Sequence, residues 1–444
     1  MIGFLLGEGG GGTSTADAVA PAEASAIEHD LANLTGRQTP GVERARRVEP
    51  DKDSSFLLLL ASESSRLTIE DFRGFVMSAV MSGASDITIQ SDQQPRVEVH
   101  GRLYKGTRRP WSPSEVSMVL AELFDATNAI AEINGRRILD FAYELNQRDG
   151  TKQRFRVNAT GIQGMDVQGV EITMRALPST TPTIEYVSLP PDLVRAMAPP
   201  NGIVVVAGAT GHGKSTTLAA VIRSHLENVR HPVKIVDFQA PIEFTFRDVL
   251  NELEGSSSNF GQSEVGRHIE SFAEGVRSAL RRKPHIISVG EARDLETIKA
   301  SLEASLTGHL VYTTTHAGSV VDAMRRLLSV FPAEEREARA YDLASSIRVL
   351  MVQQLVPRID RPGRVPVREY LQFTSEVQQQ LFMEPVTRWP HIISRIMREG
   401  GVSDDPLKRT FSEELDPLVR KGVVDAMEAF RITGDRIFLP GAAE

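Results

Sequence analysis

Two rhythms of apolar residues divide the chain. From residue 67 to 180 the apolar positions alternate with polar ones in short runs. Asp86-Ile-Thr-Ile-Gln90 and Arg96-Val-Glu-Val-His100 come first, then Asp140 to Asn146, Thr151 to Thr160 and Val170 to Ala176. A period of two sets one face of each strand on a core and the other toward water. Thr68-Ile-Glu-Asp71 ahead of Phe72, Phe75, Val76, Ala79 and Val80 predicts a capped amphipathic helix that stops at Gly83. Ser112-Pro-Ser-Glu115 opens a second helix, expected to run to about Asn128. Short alternating strands with few helices predict a small α+β domain over residues 67–180.

Beyond Pro178, Pro182, Pro190, Pro191 and Pro199-Pro-Asn-Gly202 the pattern changes. Ile203-Val-Val-Val-Ala207, Val233-Lys-Ile-Val-Asp237, Ile286-Ile-Ser-Val289 and Leu310-Val-Tyr-Thr-Thr314 are nearly continuous apolar runs separated by helical stretches. Strands of this kind are buried on both faces, which predicts a parallel sheet wrapped by helices over residues 181–375. Residues 376–444 read as a helical C-terminal region. Residues 1–66, with Gly9 to Gly12 and much Ala, Ser, Thr and Pro, read as a flexible N-terminal segment. No internal repeat emerges.

Composition narrows the field a little. The 444 residues are 41% hydrophobic and 24% charged, the balance of a globular chain with sizeable cores. A net charge of −8 argues against a surface built throughout to bind a polyanion. There is no cysteine, which excludes disulfides, thiolate metal sites and a cysteine nucleophile. The apolar run Phe56-Leu-Leu-Leu-Leu60 falls far short of the ~20 residues that span a bilayer. No transmembrane segment or signal peptide is expected, and a cytoplasmic location is.

The chemistry begins where the first apolar strand ends. Gly208-Ala-Thr-Gly-His-Gly-Lys-Ser215 follows Ala207 directly and leads into a helix-forming stretch. Glycines let backbone N–H groups turn toward phosphate oxygens, and the helix offers its positive N-terminus. Gly208, Ala209, Thr210, Gly211, His212, Gly213, Lys214, Ser215 and Thr216 are therefore the candidate ATP-binding residues. Lys214 is expected to reach the β- and γ-phosphates, and the Ser215 hydroxyl to coordinate Mg2+. Glu291, after the strand Ile286 to Val289, is placed to act on the metal side, in part through water. Glu243, in Ala240-Pro-Ile-Glu-Phe244, is a further acidic candidate. His309 and His316 flank a strand without metal-site spacing, and spacing alone leaves both open between structural and functional roles.

Taken together these segments resemble the PilT/GspE-type secretion ATPases, and among them the DotB/TraJ group of type IVB secretion and conjugation systems. The resemblance covers roughly residues 69 to 375, with a weaker echo from Thr410-Phe-Ser-Glu-Glu-Leu to Ala429. Gly83-Ala-Ser-Asp-Ile-Thr-Ile89 and Gln153-Arg-Phe-Arg-Val-Asn158 are similar to the start and close of that family's PAS-like N-terminal domain. Val289-Gly-Glu-Ala-Arg-Asp-Leu-Glu-Thr-Ile298 resembles its Walker B, and Thr307-Gly-His-Leu-Val-Tyr-Thr-Thr-Thr-His316 its His box. Val330-Phe-Pro-Ala-Glu-Glu335 and Gly363-Arg-Val365 also fall in place.

The resemblance implies a RecA-like P-loop ATPase domain behind the PAS-like domain, in a homo-hexameric ring. It implies Glu291 as catalytic glutamate, Glu243 as the acid of the Asp box, His316 as γ-phosphate sensor and His309 as its support. Arg154 and Arg156 would reach nucleotide from the N-terminal domain, of the same or a neighbouring subunit. Inner-membrane and cytoplasmic components of a secretion or conjugation machine are the implied partners, with no direct sequence-specific contact to nucleic acid. The chain departs from the family at Gln239-Ala-Pro-Ile-Glu243, where Glu-Asp-Pro-Ile-Glu is common. A slowly hydrolysing, nucleotide-dependent assembly switch is therefore the alternative to a motor. A helicase-like ATPase is disfavoured by the acidic balance.

Overall fold

The computed structural model describes residues 46–439, apart from residues 52–53, 100–101, 125–127, 147–151, 165–167, 179, 253–255 and 400–406. Two sheets organise it. The first spans α1 (Ile69–Met81), β1 (Ala84–Gln90), β2 (Arg96–Val99), β3 (Arg102–Lys105), α2 (Pro113–Phe124), α3 (Ala129–Asn134), β4 (Leu139–Asn146), β5 (Lys152–Gln163) and β6 (Gln168–Leu177). Its six strands run antiparallel in the order β3-β2-β1-β6-β5-β4. The predicted alternation is what buries one face: Ile87, Ile89, Val97, Val99, Phe155, Val157, Ile172 and Met174 join Phe72, Phe75 and Leu120 in one core. The Thr68 side chain accepts from Asp71 N–H at 3.1 Å, the capping box the sequence predicts. The second helix ends at Phe124 rather than near Asn128, and residues 125–127 lie outside the described set.

One expectation is corrected here. Most of the segment 1–66 lies outside the described residues, but residues 46–66 are not all a loose lead-in. Leu57, Leu59 and Leu60 are buried in the first core. Leu57 N–H and Leu59 N–H donate to the Lys105 and Gly106 carbonyls at 2.9 and 3.1 Å. The apolar run at 56–60 thus completes the open edge beside β3, because an edge strand leaves backbone groups in need of partners.

The second layer system continues through α4 (Pro191–Ala196), β7 (Gly202–Ala207), α5 (Lys214–Leu226), β8 (Lys234–Gln239), α6 (Arg247–Glu252), β9 (Asn259–Glu264), α7 (Phe272–Ala279), β10 (Ile286–Val289), α8 (Leu295–Leu306), β11 (Leu310–Thr315), α9 (Val320–Ser329), α10 (Ala333–Ser346), β12 (Ile347–Pro357) and β13 (Arg364–Gln372). Then follow α11 (Ser375–Phe382), α12 (Trp389–Glu399), β14 (Lys408–Arg409), α13 (Phe411–Arg420) and α14 (Ala426–Thr433). The order is β14-β13-β12-β7-β11-β10-β8-β9, parallel from β12 to β9, with β13 and β14 antiparallel at one edge.

Burial on both faces explains the continuous apolar runs. Ile203, Val205 and Ala207 of β7 face one core, and Val204 and Val206 face the other with α5 residues Leu218, Val221 and Ile222. β9 and β12 were not legible as strands. Asn-Phe-Gly-Gln-Ser-Glu is a mostly polar edge, and the apolar run of β12 follows a helix without a turn signal. The C-terminal helices pack on the first of these two cores through Trp389, Ile393, Ile396, Phe411 and Leu415. Among the described residues no helix is long and apolar enough to cross a membrane.

Candidate active site

The loops that follow β7, β8, β10 and β11 share one edge of the sheet, where the carboxyl ends of parallel strands form a crevice. The Gly208–Lys214 loop turns there on two positions that only glycine fits. At Gly208, φ is 148°, and a Cβ would stand 2.4 Å from the Gln353 carbonyl oxygen. Gly213, the N-cap of α5, has φ 76°. Ala209, Thr210 and Gly211 are exposed, and His212, Ser215 and Thr216 are half-buried. The Lys214 ammonium donates to the Gly208 and Ala209 carbonyls at 2.8 and 3.0 Å, so it sits across the mouth of the loop.

A support beneath this loop escaped the sequence reading. Gln353 donates from Nε2 to the His212 carbonyl at 2.8 Å, and its Oε1 accepts from Thr217 Oγ1 and Arg368 Nε, both at 2.9 Å. Arg368 in turn holds the Ser188 carbonyl at 3.0 Å and the Val187 carbonyl. Burial pushes the Arg368 guanidinium down to about 10. The signal was an amide inside the apolar stretch of β12; nothing in the sequence says that it faces the P-loop. Arg364, in the Gly363-Arg-Val365 segment, donates to the Gly211 carbonyl at 3.3 Å.

The acids meet the loop from the neighbouring strands. Glu291 follows β10, and its segment is fastened by Thr314 Oγ1 to the Gly290 carbonyl at 2.6 Å and by Ala292 N–H to the Thr314 carbonyl at 2.8 Å. His316 Nε2 lies 3.4 Å from Glu291 Oε1, and the ring stands beside the Gly208 backbone, which favours its charged form slightly. Burial and the nearby Lys214 charge lower the His316 pKa, while Glu291 works against them, so the ring is neutral at neutral pH. Burial likewise lowers Lys214, whose ammonium is favoured by Glu291 and Glu243. Ser215, Asp237, Gln239, Glu243, Gly290 and Thr314 line a pocket of about 30 Å³ behind the loop. That is room for about two waters, at roughly 10–15 Å³ each. On the outer side of Glu291 and His316 a cleft of about 440 Å³ is bordered by Arg293, Arg325 and Arg326. Ser215, Glu243 and Glu291 are hard oxygen donors, the set that suits Mg2+.

Three sequence-named residues stand elsewhere. Arg154 is 9% exposed and donates to the Glu243 and Ile242 carbonyls at 3.0 and 2.7 Å. It thus ties the antiparallel sheet to the loop that carries Glu243 in the same chain. Arg156 pairs with Asp140 at 2.9 Å on an exposed face. His309 corrects the expectation: it precedes β11, at the opposite sheet edge from His316. Its Nδ1 lies 3.1 Å from the Ala304 carbonyl, and six intervening residues place it about 20 Å from the P-loop end of the strand. Direct support of His316 within one chain is therefore excluded. Arg154→Ala is expected to slow turnover by roughly 10–100-fold while ATP affinity changes little, because the residue positions Glu243 and leaves the P-loop alone. Steady-state kinetics beside a nucleotide titration checks this.

Comparisons with known proteins follow the same lines. Residues 62–389 match the family model described as Type II/IV secretion system protein. The type IV pilus retraction ATPase PilT of Pseudomonas aeruginosa is 32% identical over 361 residues, 81% of this chain and 97% of its own length. The X-ray structure of the Legionella pneumophila ATPase DotB superposes with a TM-score of 0.74 and 36% identity, covering 84% of this chain and 97% of that one. The crystal structure of the pilus retraction motor PilT with bound ADP gives a TM-score of 0.68 and 26% identity, covering 82% and 97%.

Proposed function

We propose, because this chain belongs to the type II/IV secretion system protein family, that the site hydrolyses ATP to drive a secretion, conjugation or pilus apparatus. One observation carries the reading: a complete P-loop whose lysine shares a single electrostatic cluster with Glu291, Glu243 and His316. In this reading the loop N–H groups and the α5 N-terminus take the β- and γ-phosphates, and Lys214 exchanges the Gly208 and Ala209 carbonyls for phosphate oxygens. Ser215, with Glu291 in part through water, would hold Mg2+, which would supply positive charge against the charge that builds on the phosphates. Glu291 orients and deprotonates the attacking water. His316, neutral and in contact with both Glu291 and Gly208, reports the γ-phosphate to the loop.

The domain plan of the reading is a PAS-like N-terminal domain over residues 67–180, a RecA-like ATPase domain over 181–375 and a helical region over 376–444. Six copies form a ring in the cytoplasm, attached to the inner membrane through partner proteins. Resemblance to the family supports the ring, and Arg154 supports coupling of the two sheets, since movement of the first sheet pulls on the Glu243 loop. A second reading has its own observation. Gln239 stands where the family has an acid, which favours a slow, nucleotide-dependent assembly switch.

Phosphate release by the purified chain with Mg-ATP separates the two, and sedimentation with and without nucleotide tests the ring. Turnover well above background, with a species of six chains, is expected. A monomer under all nucleotide conditions would overturn the ring.

A further inference from the structure

The sheet face under α5 turns polar toward the P-loop end: Asp237, Ser288 and Gln353 are all buried there. Asp237 is the unusual member, a carboxylate 1% exposed with no cation on it. Both of its oxygens are used by side-chain amides. Gln239 Nε2 donates to Oδ1 at 2.7 Å, and Gln262 Nε2 donates to Oδ2 at 2.8 Å. Gln262 cannot turn over, because the same nitrogen also donates to the Phe244 carbonyl at 2.9 Å. The other end of the Gln239 amide faces the site. A Cβ on Gly290 would stand 2.8 Å from Gln239 Oε1, and Gly290 and Gln239 line the small pocket together with Ser215 and Glu243.

An amide can present either an acceptor or a donor to such a pocket, and only its neighbours decide which. Burial alone raises the Asp237 pKa, but the two amides and Ser288 favour the ionised form. With both oxygens accepting from Nε2 groups, Asp237 takes the NH2 end of Gln239 and leaves the carbonyl oxygen against Gly290 on the pocket wall. We propose that Asp237 is a positioning residue, buried to lock Gln239 with its oxygen facing the pocket, where it accepts from a water of the Mg2+ shell. The acid missing at 239 is in this sense replaced by a pair: an acid at 237 that does not touch the site and an amide that does. The inference rests on the ATP-hydrolysing reading of the site.

The pair yields a specific reversal. In Asp237→Asn, Gln262 still needs an acceptor, so the new Asn turns its oxygen to Gln262 and its NH2 to Gln239. Gln239 then has to rotate, and a donor faces the pocket where an acceptor stood. Adding Gln239→Glu repairs this: the Asn NH2 donates to one Glu oxygen, and the other oxygen returns to the pocket. Both changes are isosteric and preserve core volume, and thermal melting followed by circular dichroism checks that each variant is folded.

Asp237→Asn is expected to lower kcat by roughly 10–100-fold with little change in KM. It is also expected to lose most of the gain in ATP affinity that Mg2+ brings, read by titrating ATP with and without Mg2+. The double variant Asp237→Asn with Gln239→Glu is expected to recover both. The proposal is overturned if the single variant keeps wild-type kcat and Mg2+ gain, or if the double is no better than the single. A wild type that turns over no faster than Glu291→Gln would remove the hydrolysis reading alone. The Mg2+ gain then decides the positioning role by itself, and a wild type without any such gain overturns it.

Discussion

Lys214→Ala is expected to keep its fold and to lose ATP turnover by on the order of 10³-fold, with nucleotide binding weakened in parallel. The two halves of that outcome have separate causes. Without nucleotide the ammonium satisfies only the Gly208 and Ala209 carbonyls, at the partly exposed mouth of the loop. Burial lowers its pKa, so the charged form is less favourable in the folded chain than in the unfolded one. The sign follows: this group subtracts fully from stability below its folded pKa, and the deficit shrinks as pH rises through that pKa toward the higher unfolded value. Removing it therefore leaves the melting temperature where it is, or raises it slightly. With ATP bound the same ammonium is expected to face the β- and γ-phosphates, whereas Arg364 is engaged with the Gly211 carbonyl. Melting curves beside phosphate release check both halves; normal turnover in the folded variant would refute the site.

Much of the site lay open in the sequence because it is local. A P-loop needs its strand, its glycines and its helix within a few residues, and the register of β7, β10 and β11 then carries Glu291 and His316 to it. The first sheet was legible for a similar reason, since a period of two names the buried face of each strand. What escaped was set by long-range packing. Gln353 and Arg368 lie more than a hundred residues from the loop they support, and Arg154 meets Glu243 across two different sheets. His309 shows the opposite error. Two histidines bracketing one strand look adjacent in the sequence, yet an extended strand carries them to opposite edges of a sheet. The run Phe56 to Leu60 shows a third: composition marked a flexible lead-in, while tertiary packing used its leucines to close an edge.

Gln239 also gains a meaning that its position alone withheld. Read singly, an amide where the family has an acid suggests a crippled site. Read with the buried Asp237 and with Gln262, it is one end of a chain of hydrogen bonds that terminates at the Phe244 carbonyl. The loop carrying Glu243 is thus held from two sides, by this chain from beneath and by Arg154 from the other sheet. Outer contacts of this kind fix geometry without touching the reacting atoms.

Glu291→Gln separates binding from chemistry most sharply. The change is isosteric, so the segment fastened by Thr314 and Ala292 stays in place. It removes a negative charge near the triphosphate, so ATP affinity is expected to hold or to tighten. It also removes the carboxylate that faces His316 at 3.4 Å, and with it the proton acceptor for water, so kcat is expected to fall by about 10²–10⁴-fold. The wild-type rate is expected to show an acid limb of matching origin, checked by a pH–rate profile of wild type beside His316→Gln. A His316 protonated 3.4 Å from Glu291 stabilises the carboxylate and makes it a weaker base. Because burial and Lys214 lower the His316 pKa, that limb falls below the ordinary histidine range, and His316→Gln removes it. Taken with Lys214→Ala, the variant gives a clean partition: one loses nucleotide, the other holds it without turning it over. If wild type and Glu291→Gln release phosphate at the same background rate while both bind ATP, the motor reading falls, and the assembly switch takes its place with the P-loop assignment intact.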